Sequence, residues 1–206
     1  MNLYVIGDSI SIHYGPFLEQ QLQGVMGYAR IEGEEEALLN LDQPNGANGG
    51  DSSMVLEFLQ RKDASGGIDA DLLLVNCGLH DIKTHRETGA VQVTIEDYAK
   101  NLRAIIELAV SMKLQLIWIR TTPLDEKVHN ANGVDFLRHT ADHEAYNRIA
   151  DEVMREANIP IIDLHAFTAN LGPDLYIDHV HFPETIREKQ AAYIAGWLDS
   201  YRQTHQ

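Results

Sequence analysis

A repeated pattern constrains this chain more than any single residue. A short, nearly continuous apolar run stops at small and polar residues, and a stretch with helical spacing follows. Asp71-Leu72-Leu73-Leu74-Val75-Asn76 is the clearest run, with Asn2–Ile6 and Leu114–Ile119 as further examples. A strand that is apolar on both sides needs cover on both sides, as in a parallel sheet. The spacing predicts helices starting at Phe17–Leu22 and Met54–Leu59, over Ile95–Met112 and Ala141–Ala157, and from Glu184 to about Tyr201 with Pro183 near its start. Ile95–Met112 carries Tyr98, Leu102, Ile105, Ile106, Ala109 and Met112 on one face. Gly24–Ile31 and Ile159–Leu164 complete the expected strands, while residues 124–139 read as a polar, irregular insertion of the kind that shapes binding sites. Strands alternating with helices predict an α/β fold with a mainly parallel sheet between helix layers. The 206 residues fit a single domain spanning 1–206, with no repeat or linker to divide them.

Charge narrows the partners. The formal net charge is −15, so phosphate backbones are repelled and nucleic acid is not an expected partner. No apolar run is long enough to span a bilayer, and no basic-then-apolar leader precedes the first strand. Cys77 is the single cysteine, so no intramolecular disulfide can form; a reducing compartment, the cytoplasm, is expected. Set in an apolar run, Cys77 reads as a core residue. The oligomeric state is left open.

Each apolar run ends in residues that can do chemistry. Gly7-Asp8-Ser9 follows the first, Gly78-Leu79-His80-Asp81 follows the third, and a glycine-rich loop, Asn45 to Ser53, leads into a helix that Asp51 or Ser52 could cap. Asp178-His179-Val180-His181 precedes the last helix. In parallel α/β topology such ends converge on one edge of the sheet. Ser9 is a weak nucleophile unless a base takes its proton. His181 can serve as that base, and Asp178, three residues earlier, can hold the imidazole's tautomer. An oxyanion needs donors: the backbone N–H of Ser9, the backbone N–H of Gly50 and the side chain of His80 are candidates. Asp8 is expected to fix the turn, Asp81 to brace its loop, and His13 and Tyr14 to line the pocket beyond Ser9.

These four blocks, in this order, resemble the SGNH (GDSL-type) hydrolases over nearly the whole chain. The resemblance implies a three-layer α/β/α, flavodoxin-like domain with a five-stranded parallel sheet. It also implies hydrolysis of a small-molecule ester through an acyl-serine, with no cofactor and no metal. By that resemblance Ser9 is the nucleophile, His181 the base, Asp178 the orienting acid and Gly50 an oxyanion donor. The third block departs from the pattern, carrying His80 where Gly-x-Asn-Asp has asparagine. Nδ1 of histidine stands as many bonds from Cα as the asparagine amide nitrogen, so His80 is expected to replace the donor when its proton is on Nδ1. A limb of the pH–rate profile that vanishes in His80→Asn would be the mark of this.

The expected substrate is a short acyl ester, such as acetyl, on a carbohydrate or other polar alcohol, with a lysophospholipase or acyl-thioesterase as the alternative. A metal-dependent phosphoester hydrolase would use Asp8, His80, Asp81, Asp178 and His181 as ligands, but leaves Ser9 and the glycine loop without a role. A non-catalytic binding module is the remaining reading.

Overall fold

A computed structural model describes residues 1–204. In chain order the elements are β1 (Asn2–Ile6), α1 (Ser9–Leu22), β2 (Gly27–Arg30), α2 (Glu34–Leu39), α3 (Ser52–Ala64), β3 (Leu72–Val75), β4 (Thr84–His85) and α4 (Ile95–Ser111). They continue with β5 (Gln115–Ile119), α5 (Glu126–Ala131), β6 (Phe136–Leu137), α6 (Thr140–Glu156), β7 (Ile161–Ile162), α7 (Leu164–Ala169) and α8 (Glu184–Thr204).

The main sheet has five strands in the order β2-β1-β3-β5-β7, all parallel. All four residues of β3 are buried, and Leu72–Val75 pair with Leu3–Ile6 on one side and Gln115–Trp118 on the other. Helices α1, α7 and α8 pack together as one cover, and α3, α4 and α6 as the other. The result is a three-layer α/β/α sandwich with the flavodoxin-like strand order. From β1 the chain steps outward to β2, then returns to β3 on the other side. The carboxyl ends of β1 and β3 therefore flank the point where the winding reverses, and a crevice opens there.

Several elements differ from the expectations. Helix α1 starts at Ser9, not near Phe17, and runs through Gly15 and Pro16. Burial of Ile10, Tyr14, Leu18 and Leu22 outweighs the helix-breaking tendency of that pair. Tyr14 is consequently a core residue at 2% exposure and does not line a pocket. Strand β7 is shorter than Ile159–Leu164 because Asp163 already caps α7, accepting the Ala166 N–H at 2.9 Å. The insertion 124–139 is ordered. Asp125 caps α5, and β6 pairs antiparallel with β4, Thr84 against Leu137 and His85 against Phe136. A two-residue strand has no periodicity to read; only its distant partner makes it one. Among the described residues no helix is long and apolar enough to cross a membrane.

Leu74 lies at the centre of β3 with no exposed surface. Leu74→Ala removes buried apolar area and leaves a cavity between rigid layers, and is expected to cost about 2–5 kcal/mol in urea unfolding. A loss below about 1 kcal/mol would mean that the layers collapse around the gap.

Candidate active site

The first wall of the crevice is the turn from β1 into α1. Gly7 makes it tight, since a Cβ there would lie 2.7 Å from Ser11 Cβ. Asp8 is the N-cap, its Oδ1 accepting the Ile10 N–H at 3.0 Å while Ser11 Oγ donates to Asp8 O at 2.7 Å. Ser9 is thus the first residue of a helix that begins at the sheet edge. Its N–H belongs to the unpaired donors of a helix start.

The second wall is the loop before α8. Ser9 Oγ lies 2.8 Å from His181 Nε2, and His181 Nδ1 lies 2.7 Å from Asp178 Oδ2. Asp178 Oδ1 accepts the N–H groups of Val180 and His181 at 2.9 and 2.8 Å, closing a tight turn. Burial alone would raise the Asp178 pKa. The hydrogen bonds from the His181 ring and from the two N–H groups outweigh it and hold the carboxyl well below its usual range. An ionised carboxylate only accepts, so the proton of the His181 ring sits on Nδ1. Nε2 is left free to accept from Ser9 Oγ–H. The His181 ring, 2% exposed, is flanked edge-on by His13 and His179, with centroids 5.1 and 5.9 Å away.

The third wall joins the glycine loop to the loop after β3. Gly50 has φ +70, and a Cβ on it would fall 2.5 Å from Met54 Sδ and 2.9 Å from Pro44 Cβ. In the resting structure its N–H donates to Asn48 Oδ1 at 3.1 Å. Asn48 is a site residue that sequence reading missed, because loop composition gives no sign of which side chain folds back. Asp51, not Ser52, caps α3, accepting the Ser53 and Met54 N–H groups at 3.0 and 3.1 Å. The Ser52 N–H donates instead to Asp81, 2.9 Å from Oδ1 and 3.1 Å from Oδ2, pinning the His80 loop to the glycine loop. Asn76, also missed, donates to Ile119 O at 2.8 Å and ties the end of β3 to that of β5.

His80 is 3% exposed, and its ring borders a cavity of about 500 Å³ that Asp51, Met54, Lys83, Gln92 and Phe136 also line. Burial, then the charges of Lys83, Arg138 and His181, pushes its pKa well below that of ordinary histidine. The ring is therefore neutral throughout the neutral range. A pH–rate limb belonging to His80 is no longer expected there, which corrects the sequence-based expectation. Cys77 is buried, and burial pushes its thiol up, so it stays protonated.

The ligand set of the metal reading is divided. The ligating atoms of Asp178, His179 and His181 lie within 4.8 Å of one another. Asp8 and Asp81, however, are turned to backbone N–H groups elsewhere. Both His179 nitrogens have other partners, Nδ1 lying 2.6 Å from His129 Nδ1 in the insertion and Nε2 3.5 Å from Asp42 Oδ1.

Two outcomes follow from this geometry. Gly50→Ala forces a side chain into left-handed backbone and against Pro44, and is expected to cost about 1–2 kcal/mol of stability in chemical unfolding. Equal stability would show that the loop is free to relax. The second concerns pH. Burial pushes His13 and His143 down to about 4 and His129 to about 3, and lowers His80 and His165 as well. Below about pH 6.5 the unfolded chain binds protons that these rings refuse in the fold, so stability is lost as pH falls. Asp8, Asp81 and Asp151 have raised values, Asp81 to about 7, and act in the opposite sense. Five imidazoles outnumber three carboxylates, so thermal melts are expected to give a lower Tm at pH 5 than at pH 7; a higher one would refute this balance.

Solved structures of the same architecture cover almost the whole chain. A lipase/acylhydrolase from Enterococcus faecalis is 17% identical, with 97% of this chain and 96% of that one aligned and a TM-score of 0.71. The acetyl xylan esterase AlAXEase is 16% identical over 96% of this chain and 100% of that one, with a TM-score of 0.70. Est24, a carbohydrate acetylesterase from Sinorhizobium meliloti, is 13% identical over 97% and 99%, with a TM-score of 0.61. No curated protein sequence matches. The sequence profile of the GDSL-like lipase/acylhydrolase family matches residues 5–185, from β1 into the first turn of α8. The chain belongs to the GDSL-like lipase/acylhydrolase family and is an ester-hydrolysing enzyme.

Proposed function

We propose that the protein is a serine esterase that acts through an acyl-Ser9 intermediate. The single observation that carries this is the unbroken chain from Ser9 Oγ through His181 to Asp178, with contacts of 2.8 and 2.7 Å. Ser9 Oγ attacks the ester carbonyl carbon as its proton passes to His181 Nε2, and Asp178 stabilises the imidazolium. The bond to the alcohol oxygen then breaks. That oxygen takes the proton from Nε2, and the acyl group stays on Ser9. A water molecule, losing its proton to Nε2, attacks the acyl carbon; the carboxylic acid leaves and Ser9 Oγ recovers a proton. The oxyanion is held by the N–H of Ser9, the N–H of Gly50 turning from Asn48, and His80 with its proton on the nitrogen facing the oxyanion. Each such donor is worth about 3 kcal/mol in the transition state.

The preferred substrate is a short acyl ester, acetyl in the first place, of a carbohydrate or another polar alcohol. The mixed polar lining of the cavity beside His80, with Asp51, Lys83 and Gln92, supports a polar group over a long acyl chain. Two similar folds, AlAXEase and Est24, are named as acetylesterases of carbohydrate. The chain acts as one domain, in a reducing compartment that suits its single buried cysteine, and its acidic surface does not bind nucleic acid.

Burst kinetics on p-nitrophenyl acetate, butyrate and palmitate test the reading. Wild type should turn over acetate fastest, Ser9→Ala should lose at least about 10³-fold, and EDTA should change nothing. Full activity in Ser9→Ala, or its abolition by EDTA, would overturn the serine mechanism. A preference for palmitate would overturn only the substrate class. His80→Asn is expected to keep more activity than His80→Ala, since asparagine restores a donor of the same reach.

A further inference from the structure

Arg138 is the charge in this molecule hardest to account for. It directly follows β6 in the insertion and is 2% exposed, yet it forms no ion pair with any described residue. Its Nε donates to Leu79 O at 2.7 Å, its guanidinium stands 4.9 Å from the Phe136 ring centroid, and its buried Nη1 has no hydrogen-bond partner among the described residues. Its backbone is locked as well: its N–H donates to Asn130 Oδ1, and Asn130 Nδ2 donates to Arg138 O, both at 3.0 Å. Burial pushes its pKa down only to about 10, so it is a cation at neutral pH. The carboxylates of Asp42, Asp8 and Asp178 act on it from a distance, and none of them neutralises it by contact.

A buried guanidinium without a contacting anion is costly. The carbonyl of Leu79 and the N–H of His80 belong to one planar peptide unit. The bond from Arg138 Nε therefore fixes the plane from which the His80 side chain leaves the backbone. It also sets a full positive charge behind that peptide. The insertion is fastened to the same loop at further points: β6 pairs with β4, Arg86 Nε donates to Val134 O at 2.6 Å, and the Lys83 ammonium lies 4.3 Å from the Phe136 centroid.

We propose that Arg138 is a positioning residue of ester hydrolysis, aiming His80 at the oxyanion and supplying a buried positive charge that meets its counter-charge when the tetrahedral oxyanion forms. The inference rests on the reading of His80 as an oxyanion donor. Charge held in a water-poor site and matched only in the transition state lowers the barrier without tightening ground-state binding. The insertion then has a catalytic purpose as well as a shaping one. It delivers, from outside the sheet, a buried cation bonded directly to the peptide before His80, while Lys83 lines the cavity that the His80 ring borders.

The test compares Arg138→Gln and Arg138→Lys with wild type in the full chain, on p-nitrophenyl acetate, with Ser9→Ala measured in parallel. Arg138→Gln should lower kcat at least about 10-fold with KM within about threefold, and Arg138→Lys should lose less because it keeps the charge. Inhibition by phenylboronic acid, which forms a tetrahedral anion on a serine, should weaken in step with kcat/KM. If Arg138→Gln does not fold, Arg138→Lys stands alone: it lacks the planar Nε that meets Leu79 O, and its kcat should fall about threefold or more. Unchanged kcat in a folded variant overturns the proposal. So does a loss that spares boronate inhibition, which would reduce Arg138 to a structural brace. Activity surviving in Ser9→Ala would sink the serine mechanism itself, whereas a dead Ser9→Ala beside an unaffected Arg138→Gln would remove only the role of Arg138.

Discussion

The hydrogen bond between Ser9 Oγ and His181 Nε2 closes a loop of 172 residues, and the rest of the structure exists to hold its two ends at 2.8 Å. Each end is short and local. Ser9 is fixed by the Asp8 cap and the start of α1, and His181 by the turn that Asp178 closes around it. Bringing them together requires the packing of α1 against α8 and the placement of β1 within the sheet. A shift of either helix by the rise of one residue, about 1.5 Å, would break the contact. The rigidity of a close-packed core is thus a condition of the chemistry as well as of stability.

The site is electrically unusual for so acidic a chain. Burial holds the pKa values of its His13 and His80 below that of ordinary histidine, which keeps both rings neutral. The carboxylates around it are turned to N–H groups, where they hold loops together. Asp178 differs from Asp81 in burial and in hydrogen bonding. It is partly exposed and bonded to three donors, which keep it ionised, while Asp81 is fully buried and its pKa is pushed up to about 7. The two aspartates thus differ in charge state, and Asp81 braces the glycine loop through the Ser52 N–H.

The insertion between β5 and α6 links fold and site in a way the sheet cannot. It brings β6 to β4, Phe136 to the cavity wall and Arg138 to the peptide before His80. A departure from the family pattern at His80 and a buried arginine behind it meet at one peptide. A neutral imidazole carries a proton on only one of its two nitrogens, so which atom it presents depends on how its ring is oriented.

The sequence by itself determined the layers and the location of the site. Apolar runs buried on both faces and helices of clear period are local signals, and the motif after each run reports where the sheet edge lies. Ser9, Asp178 and His181 were legible as candidates because they stand in motif blocks at the end of an apolar run and before the last helix, in the order of the family pattern. Other features carry no local signal. The early start of α1 depends on core burial overriding Gly15 and Pro16. The pairing of β4 with β6, the Asn48 bond to Gly50, the Asp81 bond to Ser52 and the burial of Arg138 each join residues far apart in sequence or hidden inside a loop. Only the tertiary structure decided these, because a hydrogen bond or a desolvated charge has no energy to speak of until the fold has brought its partner close and excluded the water.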